Sequence, residues 1–201
     1  MLTTMPDTYL ELAACRAAVK WPGYLQPEDF GYDFRDWVSP YSKGAHALGG
    51  IAIVLQDWSS TDALGRGLDP DVQEHGRTRG LLTNRRLETL VGRVFGLELQ
   101  EVFVTNIFPF IKSGCISSPI PRRDAIRAAT EFAKVELEIV RPTLTLALGR
   151  VPQSVLTAVG VQHVGLPHPA ARIGDANAHE ERWRAALAGR VAVQSAGKGN
   201  N

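Results

Sequence analysis

The chain has 201 residues, of which 44% are hydrophobic and 21% charged, a balance typical of a globular protein rather than a disordered or fibrous one. This length suits a single domain with a full core. The formal net charge of +1 neither supports nor excludes a nucleic acid partner, because an anionic partner would bind a local patch. The two cysteines, Cys15 and Cys115, are far apart and indicate no disulfide framework, zinc site or cysteine-bound cluster.

The N-terminal segment does not have the pattern of a signal peptide. Asp7 and Glu11 lie where a signal peptide has its apolar core, and no apolar run approaches 18 residues. We therefore expect a soluble, cytoplasmic protein that does not contact a membrane. We also expect one domain over residues 1–193, followed by a flexible tail over 194–201.

Hydrophobic periodicity predicts helices that alternate with strands. The helices are expected over about 7–19, 80–95, 123–140, 150–159 and 176–188. The strands are expected over about 50–55, 101–105, 143–148 and 161–166. Alternation of this kind is typical of a parallel α/β sheet with right-handed crossovers.

Two stretches lie outside these elements. Residues 21–48 are rich in proline, glycine and aromatic residues, and this apolar content predicts an ordered, irregular segment packed on the domain. Residues 57–79 form a polar stretch that is longer than most connections, and such loops tend to be functional.

Polar side chains follow three of the predicted strands. Residues 49–55 read as a strand buried on both faces, and Asp57 comes directly after it. Asn106 and His168 follow the second and fourth strands, so all three residues fall at the edge where parallel sheets bind ligands. Each has a structural alternative: Asp57 as a turn or helix cap, Asn106 as a turn residue, and His168 as a rigid loop residue between two prolines.

The order of these segments resembles the uracil-DNA glycosylase superfamily. The resemblance is carried by Gln56-Asp57, by residues 102–106 (VFVTN), by 146–149 (LALG) and by His168-Pro169, and it covers roughly residues 49–175. The section from 80 to 149 looks most like the branches that carry an iron–sulfur cluster. The resemblance implies a three-layer α/β/α fold with a central, mostly parallel four-stranded sheet.

The resemblance also implies a role for each of the three polar residues. Asp57 matches the aspartate that activates or orients water and stabilises the positive sugar, Asn106 the asparagine that reads the base edge, and His168 the histidine that hydrogen-bonds the departing base. The chemistry fits these residue types, because breaking an N-glycosidic bond builds positive charge on the sugar and negative charge on the base. A side-chain amide both donates and accepts, so it discriminates a base by its edge.

The segment after Asp57 departs from the superfamily pattern. The most similar pattern continues with proline, tyrosine and histidine, whereas this chain has Trp58, Ser59 and Ser60. Because the tyrosine rejects bases that are bulky at carbon 5 and Ser59 is small, we expect a roomier pocket that accepts uracil analogues or other damaged bases.

Other superfamily positions are also changed. Residues 59–94 contain no phenylalanine to stack on the base, so Trp58 or His75 is the candidate substitute, with core packing as the alternative for Trp58. Phe110 occupies the position of a cluster cysteine, which makes the chain an atypical branch without iron–sulfur cysteines. The predicted base-binding residues are Gln56, Trp58, Ser59, His75 and Asn106.

Contacts with DNA are expected around the same edge. Arg172 lies four residues after His168, where members of the superfamily insert a wedge into the gap left by a flipped nucleotide, although a solvated loop arginine is the alternative. Phosphate contacts are expected from Lys112, Ser113, Gly149 and Arg150, and from Arg122 and Arg123. A further basic run, Arg77, Arg79, Arg85 and Arg86, is more typical of a solvated helix face.

The sequence thus predicts a monofunctional uracil-DNA glycosylase that initiates base excision repair, acts as a monomer on DNA containing uracil or related lesions, and needs no metal or cofactor. One alternative is a catalytically weak superfamily member that binds damaged DNA, and Asp57 argues against it. The other is a nucleoside or nucleotide hydrolase on the same fold, and Arg172 argues against it.

Overall fold

The computed structural model describes residues 7–33, 37–39, 42–43, 48–174 and 176–197. Its strands are β1 (Trp37–Ser39), β2 (Ser42–Lys43), β3 (Ile51–Asp57), β4 (Phe103–Phe108), β5 (Leu144–Leu148) and β6 (Val164–Leu166). Its helices are α1 (Asp7–Ala18), α2 (Thr61–Leu64), α3 (Pro70–His75), α4 (Leu82–Phe95), α5 (Arg122–Ala128), α6 (Lys134–Val140), α7 (Arg150–Ala158) and α8 (Ala176–Gly197). A π-helical turn, Ala129–Ala133, joins α5 to α6, and 3₁₀ turns span Pro27–Phe30 and Leu99–Glu101.

The centre of the fold is a four-stranded parallel sheet in the order β4-β3-β5-β6. Alternate residues of β3 belong to two different cores. Ala52 and Val54 pack with residues of α1, α5, α6 and α7, whereas Ile53 and Leu55 pack with residues of α4 and α8. Helices therefore cover both faces, which confirms a three-layer α/β/α fold and explains why β3 has no polar alternation.

Strand β4 extends further at its carboxyl end than predicted. It runs from Phe103 to Phe108, with all six residues buried, so Asn106 lies within the strand instead of following it. The ladder with β3 continues past Asn106 to the pair Asp57 and Phe108. A polar side chain did not end the strand because the hydrogen bonds to β3 and the apolar residues on either side continue it.

The two stretches outside the predicted elements contain more regular structure than expected. The polar stretch 57–79 holds the short helices α2 and α3. In the segment 21–48, Trp21 and Tyr32 are buried as predicted, and β1 and β2 form an antiparallel pair that the sequence analysis missed. Phe34 and Tyr41 of that segment lie outside the described residues.

The C-terminal helix is longer than expected. It runs to Gly197 and so includes residues 194–197 of the predicted tail, while 198–201 lie outside the described residues. Among the helices that the structure describes, none combines the length and the apolar character needed to cross a membrane.

Candidate active site

Asp57 is the last residue of β3, at the carboxyl edge of the sheet. Its side chain is 9% exposed and forms an ion pair with the ammonium group of Lys112. Burial raises the pKa of Asp57 above its usual value, and the hydrogen bond and charge of Lys112 act in the opposite direction. The carboxylate is therefore held in a poorly solvated position with one cation beside it.

Lys112 does not lie where the sequence analysis expected it. Its side chain is only 2% exposed, and besides the ion pair its Nζ donates to the carbonyl of Ile116 at 2.6 Å. The predicted phosphate contact is wrong, because a buried and paired ammonium group does not reach a phosphate at the surface. A sequence signal was present: Lys112 directly follows the apolar run 107–111, and lysine is rarely buried unless it is paired.

Asn106 lies on the strand next to β3, in register with Leu55. Residues that are paired across a sheet point to the same face, so Asn106 and Leu55 share the face covered by α4 and α8. The side chain is 3% exposed, and neither its Nδ2 nor its Oδ1 has a hydrogen-bond partner within the described part of the chain. Since an unpaired buried amide costs free energy, this group is suited to a ligand that both donates and accepts.

His168 follows β6 and has a defined tautomer. The backbone N–H of Ala170 donates to its Nδ1 at 3.2 Å, so Nδ1 carries no proton and the neutral ring has its hydrogen on Nε2. Burial, and secondarily the nearby His179, lower the pKa of His168 below its usual value. At neutral pH, His168 is therefore an uncharged hydrogen-bond donor through Nε2.

The backbone around His168 is anchored by residues from other elements. Arg86 of α4 donates from Nη1 to the carbonyl of Pro169 at 3.0 Å, and His179 of α8 bonds through Nε2 to the carbonyl of Ala171, also at 3.0 Å. Arg86 is thus partly buried at this loop instead of lying on a solvated helix face. His179 was not predicted as a site residue, because no pattern in the neighbouring sequence connects it to the residues after β6.

Gly149, between β5 and α7, permits the close approach of His168. A Cβ atom at this position would lie 3.4 Å from the Cβ of His168, and its φ of +100° is strained for any other residue. The structure thus places a glycine of the LALG segment directly against the histidine of the His-Pro pair.

Trp58 packs in the core and does not offer a stacking surface. Its ring meets that of Tyr32 edge-on at a centroid distance of 5.8 Å, and its Nε1 donates to the carbonyl of Gly76 at 3.1 Å. The prediction of Trp58 as a base-stacking residue is therefore wrong, and the structural alternative holds. The indole was assigned to the site because it neighbours Asp57 in sequence, but its buried face and its hydrogen bond fix it inside the domain.

The other predicted base-binding residues lie near Asp57 in the chain, with different exposure. Ser59 is buried, whereas Gln56 and His75 are partly exposed. The Nε2 of His75 lies 3.8 Å from a carboxylate oxygen of Glu74. Gln56 and His75 remain candidates for contact with a base, while contact with Ser59 requires a ligand that reaches below the surface.

The predicted DNA-contacting side chains other than Lys112 are at the surface. Ser113 and Arg172 are exposed in the connections that follow β4 and β6, and Arg150 is exposed at the first residue of α7. Arg122 and Arg123 are exposed at the start of α5. These positions leave the predicted phosphate and wedge contacts sterically open.

No group of three or more histidine, cysteine, aspartate or glutamate side chains suited to a metal ion occurs among the residues that the structure describes. Compared with models of known protein families, the chain matches none, and no curated protein sequence is significantly similar to it. Asp57, Asn106 and His168 are therefore the residues whose placement indicates a function.

Proposed function

We propose that this protein is a DNA glycosylase with a uracil-DNA glycosylase-like fold, which hydrolyses the N-glycosidic bond of uracil, and of other damaged bases, after the nucleotide is flipped out of the helix. The observation that carries the proposal is the buried amide of Asn106, which lacks partners among the described residues. It lies within β4, in register with Leu55, two residues before Asp57 at the end of the neighbouring strand β3. The Asn106 amide would then read the edge of the base, His168 would donate a hydrogen bond to the departing base, and the Asp57 carboxylate would face the positive sugar.

The proposed reaction breaks the bond between C1′ of the sugar and the ring nitrogen of the base. As the bond lengthens, positive charge grows on the sugar opposite the Asp57 carboxylate, and negative charge grows on the base. The Nε2–H of His168 donates to a carbonyl oxygen of the departing base and stabilises that charge. A water molecule oriented by Asp57 then attacks C1′; its hydroxyl stays on the sugar, and its proton balances the anionic base on release.

Selection of the base would come from Asn106. The Watson–Crick edge of uracil presents an N–H beside a carbonyl oxygen, and the amide accepts from the first and donates to the second. The small Ser59 lacks the bulk to reject a substituent at carbon 5 by collision, and a pocket that merely leaves room discriminates a methyl group by only about 1–3 kcal/mol. We therefore include related lesions in the proposed substrate range.

DNA would lie across the exposed side of this edge. The surface positions of Ser113, Arg150 and Arg172 support phosphate contacts from the first two and insertion of the third into the gap left by the flipped nucleotide. We propose a monomer that acts in the cytoplasm during the first step of base excision repair.

The decisive experiment uses single- and double-stranded oligonucleotides with one uracil, followed by alkaline cleavage of any abasic product. The wild type should cut uracil-containing strands, and Asn106→Ala should lose excision while its circular dichroism spectrum is unchanged. Cleavage of free deoxyuridine but not of the oligonucleotides would replace this proposal with a nucleoside hydrolase. Tight binding of the lesion without excision would instead indicate a damaged-DNA-binding protein.

A further inference from the structure

We propose that Lys112 is a positioning residue for Asp57: its buried ammonium group keeps the Asp57 carboxylate ionised and fixes the direction in which it faces the reacting sugar. This inference rests on the proposed function and assigns a residue that supports the reaction without touching the substrate.

Both partners of this ion pair are buried. The side chains of Lys112 and Asp57 are 2% and 9% exposed, so water solvates neither charge well. A carboxylate in such a place takes up a proton unless an opposite charge or a hydrogen-bond donor stabilises the ionised form. Lys112 supplies both through one ammonium group.

The ammonium group of Lys112 is itself held in place. Its second hydrogen bond goes to the carbonyl of Ile116, and the backbone carbonyl of Lys112 accepts from the N–H of Thr61 at 3.0 Å. Two further bonds join the same segments: Asp62 N–H to the carbonyl of Gly114, and Gly114 N–H to the hydroxyl of Thr61. The connections after β3 and β4 are thus tied together around Lys112, which fixes the carboxylate relative to both.

Different charged groups act on Asp57 and on His168. Within the described part of the chain, Lys112 is the charged group that acts on Asp57, whereas His179 of α8 acts on His168. In the part of the chain that the structure describes, Lys112 is the cation that forms an ion pair with Asp57. Loss of its charge would therefore leave Asp57 buried and protonated over a wider pH range.

The test compares Lys112→Met, which removes the charge and leaves an unbranched side chain that is one atom shorter, with Lys20→Met at an exposed lysine of the same chain. We expect Lys112→Met to lower kcat for uracil excision about 10²-fold at neutral pH, since a small misplacement of a reacting group has an effect of that size. The KM for DNA should hardly change, and the acidic limb of the pH profile should move to higher pH. Lys20→Met should match the wild type in all three respects.

A double variant separates positioning from a general structural role. If Lys112 acts through Asp57, then Lys112→Met should have little further effect on excision in an Asp57→Asn background. The double variant has neither buried charge, so it remains a usable reference if the single Lys112→Met chain does not fold, and Lys112→Gln then takes the place of the single variant. Additive losses would overturn the proposal, as would a raised KM with an unchanged pH profile.

A readout without catalysis distinguishes failure of this inference from failure of the proposed function. The side-chain carboxyl carbon of Asp57, assigned through Asp57→Asn, is titrated by NMR in the wild type and in the position-112 variant. A higher pKa of Asp57 in the variant supports the ion-pair role even if no oligonucleotide is cut. An unchanged pKa of Asp57 overturns it even if uracil is excised.

Discussion

Two buried ion pairs lie on opposite faces of the sheet, and they differ in how completely their polar groups are bonded. Arg16 of α1 pairs with Glu136 of α6, and Glu136 also accepts from the hydroxyl of Thr105 on β4. Lys112 and Asp57 form the second pair, at the carboxyl edge. Glu136 is 1% exposed and lies between α1 and β4, whereas Asp57 lies at the end of β3, before the connection to α2.

The difference lies in the neighbours of each pair. Thr105 and Asn106 are adjacent on β4 and point to opposite faces. The hydroxyl of Thr105 is bonded to Glu136, whereas the amide of Asn106 and the buried hydroxyl of Ser60 have no partner in the described part of the chain. Buried polar groups that are fully bonded fix a structure, and those left unbonded next to a charge are typical of a site that a ligand completes. We infer that the first pair serves stability and the second pair serves chemistry.

The largest effect is expected when the stabilising pair of Arg16 and Glu136 is broken. Glu136→Gln leaves Arg16 buried without its counter-charge, and removing one partner of a buried pair typically lowers the free energy of unfolding by about 3–5 kcal/mol. Urea unfolding measures this loss, with Glu138→Gln, at an exposed position of the same helix, as the control. Uracil excision per folded molecule should stay at the wild-type rate. A large loss of excision in a folded Glu136→Gln protein would contradict the division between the two pairs.

The next largest effect is expected when either charge-stabilising group of the proposed reaction is removed. Asp57→Asn removes the negative charge opposite the sugar, and His168→Ala removes the donor to the departing base, so each should lower excision by about 10²-fold or more. Circular dichroism should show the native secondary structure in both. Asp62→Asn, at an exposed carboxylate five residues further on, should excise uracil normally. Wild-type excision by Asp57→Asn would remove Asp57 from the mechanism.

The tautomer of His168 can be tested in the wild-type protein. Because the Ala170 N–H donates to Nδ1, ¹⁵N NMR at neutral pH should show His168 as the Nε2–H tautomer. His163 is an internal control of the opposite kind, since its Nδ1 lies 2.9 Å from the carbonyl of Val161 and must donate. The lowered pKa of His168 means that the folded protein takes up this proton only at more acidic pH than an unfolded chain, so stability should fall as the pH decreases through the usual histidine range. Observation of Nδ1–H in His168 would exclude the proposed donor.

Local sequence patterns predicted the sheet better than they predicted the site. Residues 49–55 and 143–148 are apolar runs of strand length with glycine or proline beside them, so local composition determines β3 and β5. Asp57 and His168 were correctly expected at the carboxyl edge, because the end of a strand fixes where its next residues lie. Lys112 and Trp58 were misplaced, because their environment is set by residues distant along the chain: Asp57 and Ile116 for the lysine, Tyr32 and Gly76 for the indole. The partners of Glu136 on α1 and β4 were invisible for the same reason.

The smallest expected effect concerns Arg172, which we propose acts on the DNA and not on cleavage of the glycosidic bond. Arg172 is exposed in the connection after β6, close in sequence to Pro169 and Ala171, whose carbonyl groups are bonded to Arg86 and His179. Its backbone is thus attached to a supported segment, while its side chain is available to fill the gap left by a flipped nucleotide. Flipping costs a few kcal/mol in duplex DNA and less in single strands, and a side chain that fills the gap offsets part of that cost.

Arg172→Ala should therefore slow excision from duplex DNA by about tenfold or less, a fraction of the flipping cost, and leave excision from single strands nearly unchanged. The matched control is Arg150→Ala, at another exposed arginine of the same edge. Loss of a phosphate contact there should weaken binding to both substrates alike and reduce the salt dependence of binding. Both variants are assayed on the two substrates over a range of salt concentrations. Suppose that Arg172→Ala slows excision equally on both substrates and reduces the salt dependence of binding as Arg150→Ala does. Arg172 then contacts phosphate and does not enter the base stack.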